Sequence, residues 1–131
     1  MKLFLSFAAL TLLAGCAQEE IEPSADTQAE LAGALRNYTQ AGEPVSCVST
    51  RSLQGNRSAG DAIIFSGIGD RIWVNRPAGG CPELNSGRTL VTRTSSTQLC
   101  RGDIANVVDP VSGTGFGACG LGDFVPYRRV R

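Results

Sequence analysis

The chain has 131 residues, of which 42% are hydrophobic, and its twelve basic side chains are balanced by twelve acidic ones. This length corresponds to one small domain, and the balanced charge does not point to a nucleic-acid partner. Histidine is absent, which excludes imidazole metal sites, Ser-His-Asp triads and Cys-His pairs.

The first sixteen residues are typical of a bacterial export signal. A short basic start, Met1-Lys2, precedes an apolar run of about eleven residues, LFLSFAALTLL. A helix needs ~20 residues to cross a bilayer core, so this run fits the hydrophobic part of a signal peptide instead. The run ends in Leu13-Ala14-Gly15-Cys16, which resembles the lipobox of bacterial lipoproteins.

The lipobox resemblance implies a signal peptide at residues 1–15 and lipidation of Cys16. In that family the cysteine sulfur carries a diacylglyceryl group and the new amino terminus is acylated, and several acyl chains anchor a protein stably. The predicted location is the cell envelope. Ala17, where an aspartate would retain an enterobacterial lipoprotein in the inner membrane, favours the outer membrane, facing the periplasm. The alternative is an ordinary signal peptide with Cys16 as a spare thiol.

Residues 16–43 are predicted to be an acidic tether with a net charge of −5. A short helix is predicted over residues 27–40, because Thr27-Gln28-Ala29-Glu30 has the spacing of a capping box and Gly42 can end the helix. Its apolar side chains share one face: Leu31, Leu35 and Tyr38. A helix of this length is marginal alone, so it is either docked on the domain or frayed.

Residues 44–131 are predicted to form an all-β domain, a small antiparallel barrel or sandwich of about six to seven short strands with two disulfides and the short helix at its N-terminal side. Short runs rich in Val, Ile, Thr and aromatic residues are separated by turn-forming residues. These runs are 45–50, 61–66, 71–75, 88–94, 104–108 and 123–127. Within one of them Ile63 and Phe65 alternate with Ala62 and Ile64, which predicts a strand covered on both faces.

Four cysteines follow Cys16: Cys47, Cys81, Cys100 and Cys119. An even number in an exported chain predicts two disulfides, each contributing roughly 3–4 kcal/mol in the loop-entropy model. Three pairings are open, and the preferred one joins Cys81 to Cys100 and Cys47 to Cys119. The rival interpretation, a four-thiolate zinc site, lacks any close C-x₂-C pair. No metal or cofactor is expected.

Two further motifs are interpreted as structural. Residues 115–120 match G-x-G-x-x-G, but no helix pattern follows, so we interpret them as a glycine-rich loop and bulged strand around a disulfide. Arg101-Gly102-Asp103 spells an integrin tripeptide and is interpreted as a turn after Cys100.

The domain carries a net charge of +4, opposite in sign to the tether. A candidate face for an anionic ligand is formed by Arg51, Arg57, Arg71, Arg76, Arg88 and Arg93, with a basic tail, Arg128-Arg129-Val130-Arg131. Lipopolysaccharide, peptidoglycan carboxylates or an acidic protein face are suitable partners, whereas nucleic acid is not expected. The alternative is a solvated surface of mixed charge.

Catalysis is not expected. A carboxylate hydrolase needs two carboxylates flanking a cleft, and most of the candidates are placed like turn residues. The candidates are Asp61, Asp70, Glu83, Asp103, Asp109 and Asp123.

The surroundings of the cysteines resemble those in a family of small exported Gram-negative proteins that contains a domain of unknown function. The matching segments are Cys47-Val48, a Gly-Asp pair beside an aliphatic strand, Gly79-Gly80-Cys81-Pro82-Glu83-Leu84, Leu99-Cys100-Arg101-Gly102-Asp103, and Cys119 followed after four residues by Phe124-Val125-Pro126. The resemblance implies an exported all-β domain and no particular activity.

These patterns predict a membrane-anchored envelope lipoprotein that acts as a non-catalytic binding or envelope-maintenance module. An inhibitor of a periplasmic or host hydrolase such as lysozyme is the alternative, on architecture alone. A carboxylate hydrolase is the third hypothesis.

Overall fold

The computed structural model describes residues 22–85 and 87–131, so the predicted signal peptide and Cys16 lie outside the described residues. One helix and ten strands follow in chain order. They are α1 Ala25–Leu35, β1 Tyr38–Gln40, β2 Cys47–Ser49, β3 Leu53–Ala59, β4 Ala62–Gly67, β5 Arg71–Asn75, β6 Thr89–Thr92, β7 Gln98–Cys100, β8 Ile104–Val108, β9 Gly115–Gly120 and β10 Phe124–Arg129, with a 3-10 turn at Thr50–Ser52 between β2 and β3. Across these residues, no helix is long and apolar enough to span a membrane.

The strands form three antiparallel sheets, which confirms the predicted all-β class in its sandwich form rather than as a closed barrel. The largest sheet has the order β1-β10-β5-β4-β3, and the smaller ones are β2-β7 and β6-β8-β9. The two small sheets pack on one face of the large sheet and α1 packs on the other, so the molecule has three layers.

Ten strands are present where six or seven were expected, because four of them lack the usual pattern. β1 lies inside the stretch predicted as helix, and β7 has only three residues. β3 reads LQGNRSA and β9 reads GFGACG, with few β-branched residues in either. The backbone ladder with the neighbouring strand, rather than side-chain propensity, holds these strands in place.

Strand β4, in the interior of the large sheet, is buried on both faces, as its sequence predicted. Ile63 and Phe65 point into the inner core between the large and small sheets, where the Phe65 ring lies 5.6 Å from that of Phe124. Ala62 and Ile64 point to the opposite face, beneath the helix.

The predicted helix exists, but it spans Ala25–Leu35 rather than 27–40. It begins earlier because the Ser24 hydroxyl accepts a hydrogen bond from the backbone N–H of Thr27 (3.3 Å). It ends earlier because Tyr38 pairs with Arg129 of β10 instead. Leu31 on its inner face is buried against β3, β4 and β5, and Leu35 and Tyr38 pack against the same hydrophobic cluster. The helix is therefore docked rather than frayed.

The helix meets the β3–β4 turn at Gly60. This residue has a φ of +62°, and a Cβ there would collide with the backbone carbonyl oxygen of Thr27. Glycine is therefore needed at this turn for two reasons, the left-handed backbone and the close approach of α1.

Both predicted disulfides form, but the preferred pairing is wrong: Cys47 bonds Cys100, and Cys81 bonds Cys119. Cys47 and Cys100 are directly opposite in the β2–β7 ladder, with Cα atoms 4.0 Å apart. Because β7 was not predicted from the sequence, this neighbourhood was not apparent. Cys119 lies on the inner face of β9 and reaches Cys81 in the turn before β6.

Replacement of Gly60 with alanine is expected to destabilise the protein more than the same change at Gly69. Gly69 also has a positive φ, +72°, but open space around its Cβ position, so Gly69→Ala should cost only about 1–2 kcal/mol of backbone strain. Gly60→Ala adds the collision with Thr27, a further ~1 kcal/mol or more. Urea unfolding of both variants measures the difference, and equal losses would show that α1 does not press on this turn.

The disulfide pairing is expected to be visible in a non-reducing tryptic digest of protein taken from membranes. Cleavage after arginine places the four cysteines in four separate peptides, residues 37–51, 72–88, 94–101 and 102–128. The first should be linked to the third, and the second to the fourth. A link between 72–88 and 94–101 would contradict the structure.

Candidate functional site

The six predicted arginines do not line one shared groove. Four of them are divided among three separate grooves, and two lie outside these grooves. Arg71 lines one groove together with Arg128 of the basic tail. Arg57 and Arg88 line a second groove, and Arg76 lines a third. Arg51 and Arg93 lie outside these three grooves.

The first groove, called the Trp73 groove below, lies at the β4–β5 turn, beside the start of β5 and the end of β10. Its volume is about 280 Å³. It is lined by Ser52, Gly67, Ile68, Gly69, Asp70, Arg71, Trp73 and Arg128. Arg71 and Arg128 are directly opposite in the β5–β10 ladder, so their side chains leave the sheet on the same face. Trp73 lies on that face as well, two residues further along β5.

Trp73 is only partly buried, but its indole nitrogen is inaccessible and has no hydrogen-bond partner in the described part of the chain. The Arg71 guanidinium carbon lies 5.7 Å from the Trp73 ring centroid, which is within the range of a cation–π interaction. Stacking of this kind restricts the Arg71 side chain to the rim of the groove.

Charge in the Trp73 groove is net positive. Asp70 is its one lining carboxylate, and Arg131 approaches Asp70 at 3.5 Å. Both partners are well exposed, so this ion pair is weak, but it directs the Asp70 charge toward the C-terminal tail.

The second groove, called the Arg57 groove, is larger, about 570 Å³, but its charges are more nearly balanced. The Arg88 guanidinium donates to the Glu83 carboxylate at 2.9 Å and stacks 3.6 Å from the Phe116 ring centroid. Glu30 of α1 lines the same groove as Arg57.

Asn56, which the sequence did not single out, forms one wall of the Arg57 groove and joins two sheets. Its Oδ1 accepts the Leu90 backbone N–H at 3.0 Å, and its Nδ2 donates to the Leu90 carbonyl at 3.4 Å. An amide on an exposed, glycine-containing strand has no distinctive pattern, so only the structure reveals this link between β3 and β6.

Most of the candidate catalytic carboxylates are occupied by local interactions. Asp103 Oδ2 accepts the Cys100 N–H at 2.8 Å, and Asp123 pairs with Arg101 at 3.2 Å. Asp61 and Asp70 line different grooves. The three grooves therefore do not bring any two of the six together.

Asp109 organises the β8–β9 loop, residues 109–114. Its Oδ1 accepts the backbone N–H groups of Ser112 and Val111, each at 2.8 Å. These two donors, Ser112 first, lower the pKa of Asp109 below its ordinary value. The loop closes with Asp109 N–H donating to the Thr114 carbonyl at 2.9 Å. Val111 at its tip is 95% exposed.

The outer face of the β6-β8-β9 sheet is also apolar. Val91 and Ile104 are both exposed there, while their neighbours Leu90 and Val107 point inward to the core. Asn106 lies opposite Val91 on this face, so the exposed apolar side chains there are interrupted by an amide.

Both sequence motifs have the structural roles that were expected. Residues 115–120 are strand β9, whose ladder with β8 is interrupted between Val107 and Val108, and its Cys119 is disulfide-bonded. Arg101-Gly102-Asp103 is the turn after Cys100, with Gly102 at φ +88°. Over residues 22–85 and 87–131, no group of three or more Cys, Asp or Glu side chains is placed to hold a metal ion.

The fold and grooves define a class of protein: a three-layer antiparallel β-domain with two disulfides and an arginine-lined groove at one end of its largest sheet. No family model, curated protein or solved structure matches the chain.

Proposed function

We propose that the protein is a membrane-anchored envelope lipoprotein whose β-domain is a non-catalytic binding module for an anionic partner. The observation that carries this proposal is the lining of the Trp73 groove, where two arginines, Arg71 and Arg128, stand against one carboxylate, Asp70. Neither of these arginines forms an ion pair within residues 22–85 and 87–131. Such a surface attracts anionic polymers of the envelope or an acidic protein face.

The anchoring part of the proposal rests on the lipobox resemblance at Cys16. An acylated Cys16 would hold the domain at the membrane through a short acidic segment ahead of α1. The digest described above is expected to contain residues 16–36 as one acylated peptide. A peptide of residues 3–36, which an unprocessed chain would give after cleavage at Lys2 and Arg36, would contradict the anchor.

Binding to envelope anions is expected to be measurable by co-sedimentation. The full-length protein, in a non-ionic detergent, should pellet with isolated peptidoglycan sacculi or with lipopolysaccharide. Raising NaCl from about 0.1 M to about 1 M shortens the screening length from ~10 Å to ~3 Å, so binding should fall steeply. A protein that pellets with neither probe, or equally at both salt concentrations, would overturn the proposal.

The groove arginines are expected to dominate that binding. A triple glutamine variant at Arg57, Arg71 and Arg128 should bind several-fold more weakly. The matched control carries glutamine at Arg36, Arg51 and Arg93, which changes the net charge equally but leaves the three grooves intact. Equal loss in both variants would show that only net charge matters.

The loop at residues 109–114 supports a second candidate function, inhibition of a cell-wall hydrolase. A loop held in one conformation by Asp109 loses little conformational entropy when it enters a cleft, and Val111 is positioned to fill an apolar pocket. Because the folded-state pKa of Asp109 is lowered, this order is present above the ordinary aspartate pKa and is lost as pH falls through the lowered value.

Substitution Val111→Asp is expected to abolish inhibition of a lysozyme-type muramidase in a sacculus-lysis assay. Val130→Asp is the matched control, since Val130 is also exposed but lies in the C-terminal tail. Asp109→Ala should raise the inhibition constant about tenfold, because the loop loses both hydrogen bonds to the Asp109 carboxylate and must be ordered on binding. A wild-type protein that leaves lysis unaffected at micromolar concentration removes this candidate.

A further inference from the structure

We propose that the Trp73 groove is a binding site for a single oxyanion group, a carboxylate or a phosphate, held between Arg71 and Arg128 beside the Trp73 ring. The inference rests on the proposed anion-binding function and names the site and the chemical class of its ligand. Three independent features of the groove lead to it.

The first feature is the direct opposition of two like charges. Arg71 and Arg128 face each other across β5 and β10, and neither forms an ion pair within residues 22–85 and 87–131. Like charges directly opposite in a ladder are unfavourable. An oxyanion between them converts this repulsion into two charge-assisted hydrogen bonds.

The second feature is the stacking of Arg71 on Trp73. The Arg71 guanidinium carbon lies 5.7 Å from the Trp73 ring centroid, within the range of a cation–π interaction. A guanidinium restricted in this way loses less conformational entropy when it binds an anion.

The third feature is the shape and residual charge of the groove. A volume of about 280 Å³ accommodates one anionic group with a few attached atoms, and the open rim lets the rest of a larger molecule extend into solvent. Asp70 opposes an anion there, but Arg131 approaches it at 3.5 Å. The groove therefore suits a ligand of low charge rather than a highly charged cluster.

Trp73 is the only tryptophan in the chain, so its indole ¹H–¹⁵N resonance reports on this site alone. Titration of the full-length protein with sodium acetate or inorganic phosphate is expected to move that resonance along a saturable curve. Sodium chloride at matched ionic strength is the reference. A resonance that moves with neither oxyanion, or as much with chloride, would overturn the site.

Single substitutions of the lining side chains are expected to change the apparent Kd for the oxyanion in different directions. Arg71→Gln and Arg128→Gln should each raise the apparent Kd about tenfold, because each removes one charge-assisted hydrogen bond. Asp70→Asn should lower the Kd, and Arg93→Gln, outside the three grooves, should leave it unchanged. An unchanged Kd in both the Arg71 and the Arg128 variant would contradict the arrangement.

Thermal unfolding shows whether a variant that binds more weakly is still folded. Since the two arginines repel each other in the free protein, the thermal midpoint of Arg128→Gln should equal or exceed that of the wild type without ligand. A lower midpoint at low ionic strength, with no added oxyanion, would show that the pair is not electrostatically unfavourable and would count against the site.

Vesicles distinguish the two sources of phosphate. A shift with phosphatidylglycerol vesicles, absent with phosphatidylcholine, assigns the site to a lipid headgroup, whereas a shift with free phosphate alone assigns it to a soluble ligand. Pelleting with sacculi or lipopolysaccharide without any indole shift would overturn this site and leave the proposed function standing. An indole shift without such pelleting would keep the site and overturn the envelope partner.

Discussion

The structure depends on the burial of β4 on both faces. Ile63 and Phe65 pack into the inner core while Ala62 and Ile64 pack beneath the helix, so one strand joins all three layers. Each fully buried large side chain contributes roughly 1.5–3 kcal/mol. A register shift of one residue would exchange the two sets, and the bulky Phe65 would then face α1. The positions of the strands beside β4, and of everything on them, follow from this constraint.

On the inner face of β5, the polar side chains at the two ends of the strand have different surroundings. At its C-terminal end Asn75 is completely buried, and both of its amide atoms bond the backbone of Gly122, at 2.7 and 2.9 Å. Toward the other end, Trp73 retains a buried donor without an acceptor, and Arg71 faces Arg128. One end of the face is closed by the bonds between Asn75 and Gly122, and the other end carries two arginines that line a groove.

Side-chain alternation made several individual strands predictable. The pairing of strands from distant segments of the chain was not predictable in this way. β5 and β8 have the bounds expected from their Val- and Ile-rich runs, and the two-sided burial of β4 was apparent from its sequence. The disulfide pairing depended on β7, too short to recognise, lying beside β2. Likewise, the charge of the domain suggested arginine as the residue type for an anionic ligand. Only the β5–β10 register shows that Arg71 is paired with Arg128. From the sequence, Arg128 had been assigned to the basic tail.

The two disulfides explain how a domain this small tolerates an unfavourable groove. A chain of this size buries limited apolar surface, so an opposed arginine pair and an orphan indole N–H are a substantial fraction of its net stability. Cys47–Cys100 secures the short β2–β7 sheet over the inner core, and Cys81–Cys119 secures β9. Each covalent link acts mainly on the unfolded chain, by about 4 kcal/mol for separations of 53 and 38 residues. Because that stabilisation does not depend on contacts in the Trp73 groove, the groove is free to remain unsatisfied until an anion enters it.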